Sequence, residues 1–161
     1  MNFWFILDYI GHTGPYITFI ITSLYLLFIS NYLFLAIYSV GVLCNLQIIA
    51  ILKNWIREPR PKNPVPYIDH AFVGPHVYGM PSGHAEICFF NITFLWLTLF
   101  YRPKIWWILY ISVGITLLTL YQRWKYRRHT IEQLAVGSLV GILFGGLAHQ
   151  IANYSYVCNL W

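Results

Sequence analysis

The chain has 161 residues, 58% of them hydrophobic and 9% charged, where a soluble domain carries about 25% charged residues. Such a surface cannot be solvated, and the length suits one domain over 1–161. In so apolar a chain a formal charge of +5 marks loops at lipid headgroups, so the bilayer is the expected partner and nucleic acid is not.

The first ten residues, MNFWFILDYI, carry no Lys or Arg and no small-residue cleavage site, which predicts a short N-terminal interfacial helix and not a removable leader. Five apolar runs then follow, at roughly 13–30, 32–52, 84–101, 104–121 and 131–152, each about the 17–25 residues a bilayer crossing needs. Ser30-Asn31 reads as a tight turn between the first two, and Arg102-Pro103-Lys104 separates the third from the fourth. The expected fold is therefore all-α, a polytopic membrane bundle of about five transmembrane helices plus the interfacial one. Six of the eight prolines (Pro59, Pro61, Pro64, Pro66, Pro75 and Pro81) fall in or directly after the polar stretch 53–80. Proline stops helices, so this stretch is expected to be a shaped cover. Cys44, Cys88 and Cys158 are scattered and read as small packing residues.

Span parity puts the polar stretches 53–80 and 122–130 on one membrane face. Eight of the ten Lys and Arg residues lie there: Lys53, Arg57, Arg60, Lys62, Arg123, Lys125, Arg127 and Arg128. A phosphate site would gather cations whatever the topology, so this asymmetry does not fix which face is cytoplasmic.

Three clusters on that face carry chemistry. Lys53, Arg57 and Arg60 fall at i, i+4 and i+7, which would put them on one helical face up to the break at Pro59 and Pro61. Pro81-Ser82-Gly83-His84 opens the third span, with Pro81 suited to the first helical turn. The N–H groups of Ser82 and Gly83 would then be free at a helix N-terminus, a natural anion site, with His84 one step further in. Arg123 is followed after five residues by His129, and Gln133 lies at i+4 from that histidine, on the same face. Each cluster alone also reads as ordinary interfacial punctuation.

Together they spell Lys-x6-Arg-Pro, Pro-Ser-Gly-His and Arg-x5-His, in order and all at membrane boundaries. This resembles the signature of the type-2 phosphatidic acid phosphatase (PAP2) superfamily over residues 53 to 133. Two positions depart from it, with Gln122 for serine and Gln133 for aspartate. Glu58-Pro59-Arg60-Pro61, Tyr78-Gly79-Met80-Pro81-Ser82 and His129-Thr130-x-x-Gln133 look like the dolichyl diphosphatase branch, from which Gly83 in turn departs.

The resemblance implies a lipid phosphatase with His129 as nucleophile and His84 as proton donor. Lys53, Arg60, Arg123, Ser82 and Gly83 would bind phosphate. Gln133 would orient His129 through its amide oxygen, offering direction without a full charge; Glu132 is the rival orienter. No cofactor and no metal are expected, and His70, His76 and His84 lack metal-ligand spacing. The implied substrate is a polyisoprenyl diphosphate, with phosphatidate-type monoester hydrolysis and non-catalytic binding of lipid phosphates as alternatives. The implied location is an endoplasmic-reticulum-type membrane in a eukaryotic setting and an inner membrane in a bacterial one. Further along, Gly137, Gly141 and Gly145 make a small-xxx-small stripe that argues for close helix packing. Trp106, Trp107, Tyr121 and Trp124 suit interface belts.

Overall fold

The computed structural model describes residues 3–67, 74–101 and 105–158. Five helices run in chain order: α1 (Phe3–Phe28), α2 (Tyr32–Ile56), α3 (Gly83–Tyr101), α4 (Trp106–Lys125) and α5 (Ile131–Cys158), with a short 3₁₀ turn at Gly74–Val77 between α2 and α3. The protein is an all-helical membrane bundle. Large apolar side chains of every helix, such as Leu24, Leu43, Phe100, Leu117 and Leu143, point outward. In water this would be untenable, and in lipid it is the expected arrangement.

Helix boundaries follow local chemistry. The Asn31 side chain accepts from the Phe34 N–H and caps α2. At the other end Arg57 adopts a left-handed conformation and closes α2 with a bond from its N–H to Lys53 O. At the start of α5 the Thr130 hydroxyl accepts from the Gln133 N–H, while the Gln133 side chain accepts from the Thr130 N–H, each at 3.3 Å. This reciprocal pair is a capping box with glutamine in the third position.

α2, α3 and α5 combine length with a continuous apolar run; α1 and α4 fall short of the same requirement because of their polar residues. Those residues turn inward. Thr18, Thr22, Ser112, Thr116 and Thr119 are buried, and most of their hydroxyls donate to carbonyls one turn back. Pro15 sits inside α1, and its carbonyl accepts from the Asn91 amide of α3. Asn91 also donates to Thr18 and accepts from the Tyr38 hydroxyl, so one satisfied polar node ties α1, α2 and α3 together within the apolar layer.

α5 lies closest to α3, and the glycine stripe is the reason. A Cβ on Gly137 would lie 2.5 Å from Ser82 O, and those on Gly141 and Gly145 would run into Glu86 O and Phe90 O. The three glycines thus track three carbonyls spaced one turn apart on α3, as the stripe predicted. The hydrophobic core fills the half of the bundle far from the polar loops, built on Tyr25, Leu26, Phe34, Tyr38, Phe90, Phe94, Leu95, Leu99, Ala148 and Ala152.

Three sequence expectations change. The separate N-terminal interfacial helix does not form: residues 3–10 continue directly into α1, since nothing between them and Thr13 breaks the helix. Lys53, Arg57 and Arg60 do not share a helical face, because α2 ends at Ile56 and Arg57 turns away at the cap. Pro81 precedes α3 and is not in its first turn. The separator Arg102-Pro103-Lys104 and His70 lie outside the described residues.

Candidate active site

The C-terminal ends of α2 and α4 and the N-terminal ends of α3 and α5 meet at one end of the bundle, together with the first half of α1. His129 sits between α4 and α5 and is 4% exposed. Its Nδ1 lies 3.2 Å from Gln133 Oε1 and its Nε2 lies 3.1 Å from Arg60 Nη1.

These contacts fix both the amide and the ring. Gln133 Nε2 donates to Glu58 Oε1 at 2.7 Å and to Pro59 O at 2.9 Å. Gln133 Oε1 receives the Thr130 N–H. Reversing the amide would set an oxygen against a carboxylate and an NH₂ against an N–H, so the orientation is unambiguous. An acceptor oxygen facing Nδ1 requires the proton on Nδ1. From the other side Arg60, which can only donate, requires a lone pair on Nε2. The two agree: His129 is the Nδ1–H tautomer, and its Nε2 lone pair accepts from Arg60. Burial, then the charges of Arg60, Lys53 and Arg123, hold its pKa well below the ordinary histidine value. The ring therefore stays neutral under conditions in which a free imidazole would be partly charged.

The cations come from three segments. Lys53, 1% exposed, donates to Tyr78 O at 2.8 Å. Arg60 is held by the His76 carbonyl through Nε and Nη2 and by Arg128 O through Nη1. Arg123 is buried, with Nη2 2.6 Å from His12 Nδ1. His84 stands in the first turn of α3, facing Arg123, His129, His12 and Arg60, its ring 6.1 Å from that of His12. The structure therefore gathers Lys53, Arg60, His84, Arg123, His129 and Gln133 into one constellation, with three cations around the His129 ring.

The anion site that the spacing predicts at Ser82 and Gly83 loses one of its backbone donors. The Ser82 N–H is not free, since it donates to Gln133 O at 3.0 Å. Its hydroxyl is fully buried with no hydrogen-bond partner. Gly83 has ordinary contacts only, with Ile49 at 3.5 Å from a notional Cβ. The glycine that the site requires is Gly79, where a Cβ would lie 2.5 Å from the Gln133 amide. Gln122 is buried beside Gly11 with both amide atoms unpartnered. Glu132 is exposed at the first turn of α5, and the oxygen that meets His129 Nδ1 is that of Gln133, not the rival carboxylate.

Two residues escaped the sequence reading. His12 reaches the site from α1, and its signal was Asp8 one turn earlier: two polar residues at i, i+4 in an apolar run share an inward face. Asp8 binds Lys125 at 2.7 Å and accepts from the Tyr126 hydroxyl at 2.8 Å, which clamps α1 to the end of α4. Glu58 is the other, and it stands behind Gln133. Among the described residues no group of three His, Cys, Asp or Glu side chains is arranged to hold a metal ion.

No curated protein and no solved structure matches the chain. The family pattern described as the PAP2 superfamily matches residues 25–156, a stretch that holds every residue of the constellation and leaves out only the neighbouring His12, and the chain belongs to this superfamily of phosphatases.

Proposed function

We propose that the protein hydrolyses a polyisoprenyl (dolichyl-type) diphosphate to the monophosphate and inorganic phosphate, through a phosphohistidine at His129 and without a metal ion. The observation that carries this reading is the locked His129: a neutral, buried imidazole whose Nε2 lone pair accepts from Arg60, in the field of Lys53 and Arg123. His129 Nε2 attacks the terminal phosphorus, and an N–P bond forms as the bond to the bridging oxygen breaks. Lys53, Arg60 and Arg123 hold the phosphoryl oxygens by charge-assisted hydrogen bonds. His84 gives its proton to the departing oxygen. Water then attacks the phosphohistidine, His84 takes its proton, and phosphate leaves.

The surroundings favour an amphipathic substrate with more than one phosphate. His129 lines a pocket of about 440 Å³ together with Lys62 and Arg127, two further cations beyond the clamp, and one carboxylate, Glu132. That pocket shares Trp124 and Ile131 with an apolar groove of about 360 Å³ between α4 and α5, lined by Leu120, Tyr121, Leu134 and Ala135. A headgroup in the first and a chain in the second would match the chemistry of each. A diphosphate also suits a neutral orienter, because its leaving group is itself a phosphate with a second pKa near about 6 and needs little help to depart.

Phosphate release by purified protein in detergent, from polyprenyl diphosphate, polyprenyl phosphate and phosphatidate with excess chelator, tests the reading. The diphosphate should turn over fastest and the chelator should change nothing. Faster turnover of phosphatidate moves the substrate to the monoesters. Loss on chelation with recovery on adding a divalent metal overturns the metal-free mechanism.

A further inference from the structure

The position where aspartate is replaced is not simply weakened, because a carboxylate stands directly behind it. Gln133 gives one amide hydrogen to Glu58 Oε1 and the other to Pro59 O. Its oxygen then faces the Thr130 N–H and His129 Nδ1. Glu58 is itself pinned, since its carbonyl accepts the Gly79 N–H at 2.7 Å, and Gly79 leaves just enough room for the Gln133 amide. We propose that Glu58 is a positioning residue for His129: its carboxylate sets the Gln133 amide, and the amide sets the ring tautomer. The acidic member of the pair has moved one residue further from the imidazole, onto the loop after α2.

The arrangement has a chemical corollary. A carboxylate at position 133 would face Glu58 at hydrogen-bond distance, where two ionised groups repel. Glu58 therefore selects an amide, and the glutamine is a requirement of this network and not a decayed aspartate.

The inference rests on the proposed role of His129, so its test includes a readout that needs no turnover. In protein labelled with ¹⁵N in the histidine rings, the His129 shifts report the tautomer. Arg60→Ala removes the other group that fixes the ring. In that background His129 should remain Nδ1–H, and adding Glu58→Ala should release it to a mixture of tautomers. An unchanged tautomer overturns the proposal, whether or not the lipid reading survives.

Turnover supplies the second arm. Glu58→Ala should lower kcat about 10–100-fold with KM within about twofold, the range for lost outer hydrogen bonds that orient a working histidine. Glu58→Gln, which keeps an acceptor oxygen, should recover most of that loss. Gln133→Glu should be impaired alone and partly rescued by Glu58→Gln, since the swap restores one amide and one carboxylate. If Gln133→Glu is as active as the parent, or if the swap rescues nothing, Glu58 does not act through Gln133. Total inactivity of the parent toward every lipid phosphate would instead count against the proposed function and leave the tautomer result standing.

Discussion

Two histidines stand far apart along α5, and they are equally buried. His129, just before the helix, and His149, two thirds of the way along it, are each 4% exposed. A separation of twenty positions corresponds to about 30 Å of helix. Around His129 stand Arg60, Lys53 and Arg123, with an amide lock on Nδ1. Around His149 stand rings: Phe34 and Phe94 edge-on at 5.6 and 5.5 Å, and Tyr101 stacked at 6.1 Å. Burial alone therefore does not make a reactive histidine. What separates the two is that fixed charges and a directed hydrogen bond face the His129 ring, while three aromatic rings pack on His149.

The largest effect should come from removing the ring at the charged end. His129→Ala is expected to lower turnover more than about 1,000-fold, since no other group in the constellation presents a locked lone pair. Inorganic phosphate should still bind, and isothermal titration of the variant checks that separately. Residual turnover above a few per cent would transfer the nucleophile's role elsewhere.

The next effect isolates the hydrogen bond. Gln133→Ala should cost about 10–100-fold in kcat, because it frees the ring to adopt the wrong tautomer. The same change breaks the α5 capping box, which by itself is worth about 0.5–2 kcal/mol of stability. Thr130→Ala breaks the hydroxyl half of that box while leaving the Gln133–His129 bond. It should lower the melting temperature with less than about a fivefold loss of rate. Glu132→Gln should do neither, given its exposure. Equal losses for Thr130→Ala and Gln133→Ala would reduce the role of Gln133 to helix capping.

Much of this end of the molecule was legible in the sequence because its parts are local. Lys53, Arg60, His84, Arg123 and His129 lie at fixed spacings beside span boundaries, and parity alone brings those boundaries together. The glycine stripe is legible for the same reason, as a period of one turn on one helix. What could not be read is what depends on tertiary contact. The separate interfacial helix expected at the N-terminus merges into α1, since composition sets helix formation but not where one helix ends. His12 is placed by how α1 packs on α4, through Gly11 against Leu118 and Gln122. The Ser82 N–H looks free only until α5 arrives and takes it. The capping box, by contrast, was present in Thr130-x-x-Gln133 and marks both the start of α5 and the orienter.

A smaller effect concerns pH. Burial and the neighbouring cations depress the His129 pKa, and the nucleophile must be neutral, so it is competent above that depressed value and lost only as pH falls through it. The acid limb of kcat/KM, corrected for substrate ionisation, should therefore lie below about 6.5, the ordinary histidine value. Arg60→Gln removes the cation at Nε2 and should move the limb upward, toward the ordinary value, besides lowering the rate. A limb that starts above 6.5 in the parent would mean that the cations do not govern this ring.

The smallest effect is expected at the other histidine, and it is the one that sharpens the comparison most. His149 lies among Phe34, Phe94 and Tyr101, on the side of the bundle where the hydrophobic core is built. No cation of the clamp comes from the segments around it, so a charge on this ring would reach the chemistry only across most of the length of α5. His149→Phe substitutes one flat aromatic for another in a cage that already packs by ring edges and faces, the contacts for which phenylalanine is suited. Turnover should stay within about twofold of the parent and the acid limb should not move. Thermal unfolding in detergent checks that the cage still packs. If His149→Phe leaves the melting temperature unchanged but cuts kcat tenfold, the two ends are coupled along α5 through the glycine contacts with α3. The contrast between a charged and an aromatic histidine would then describe one extended system and not two separate ones.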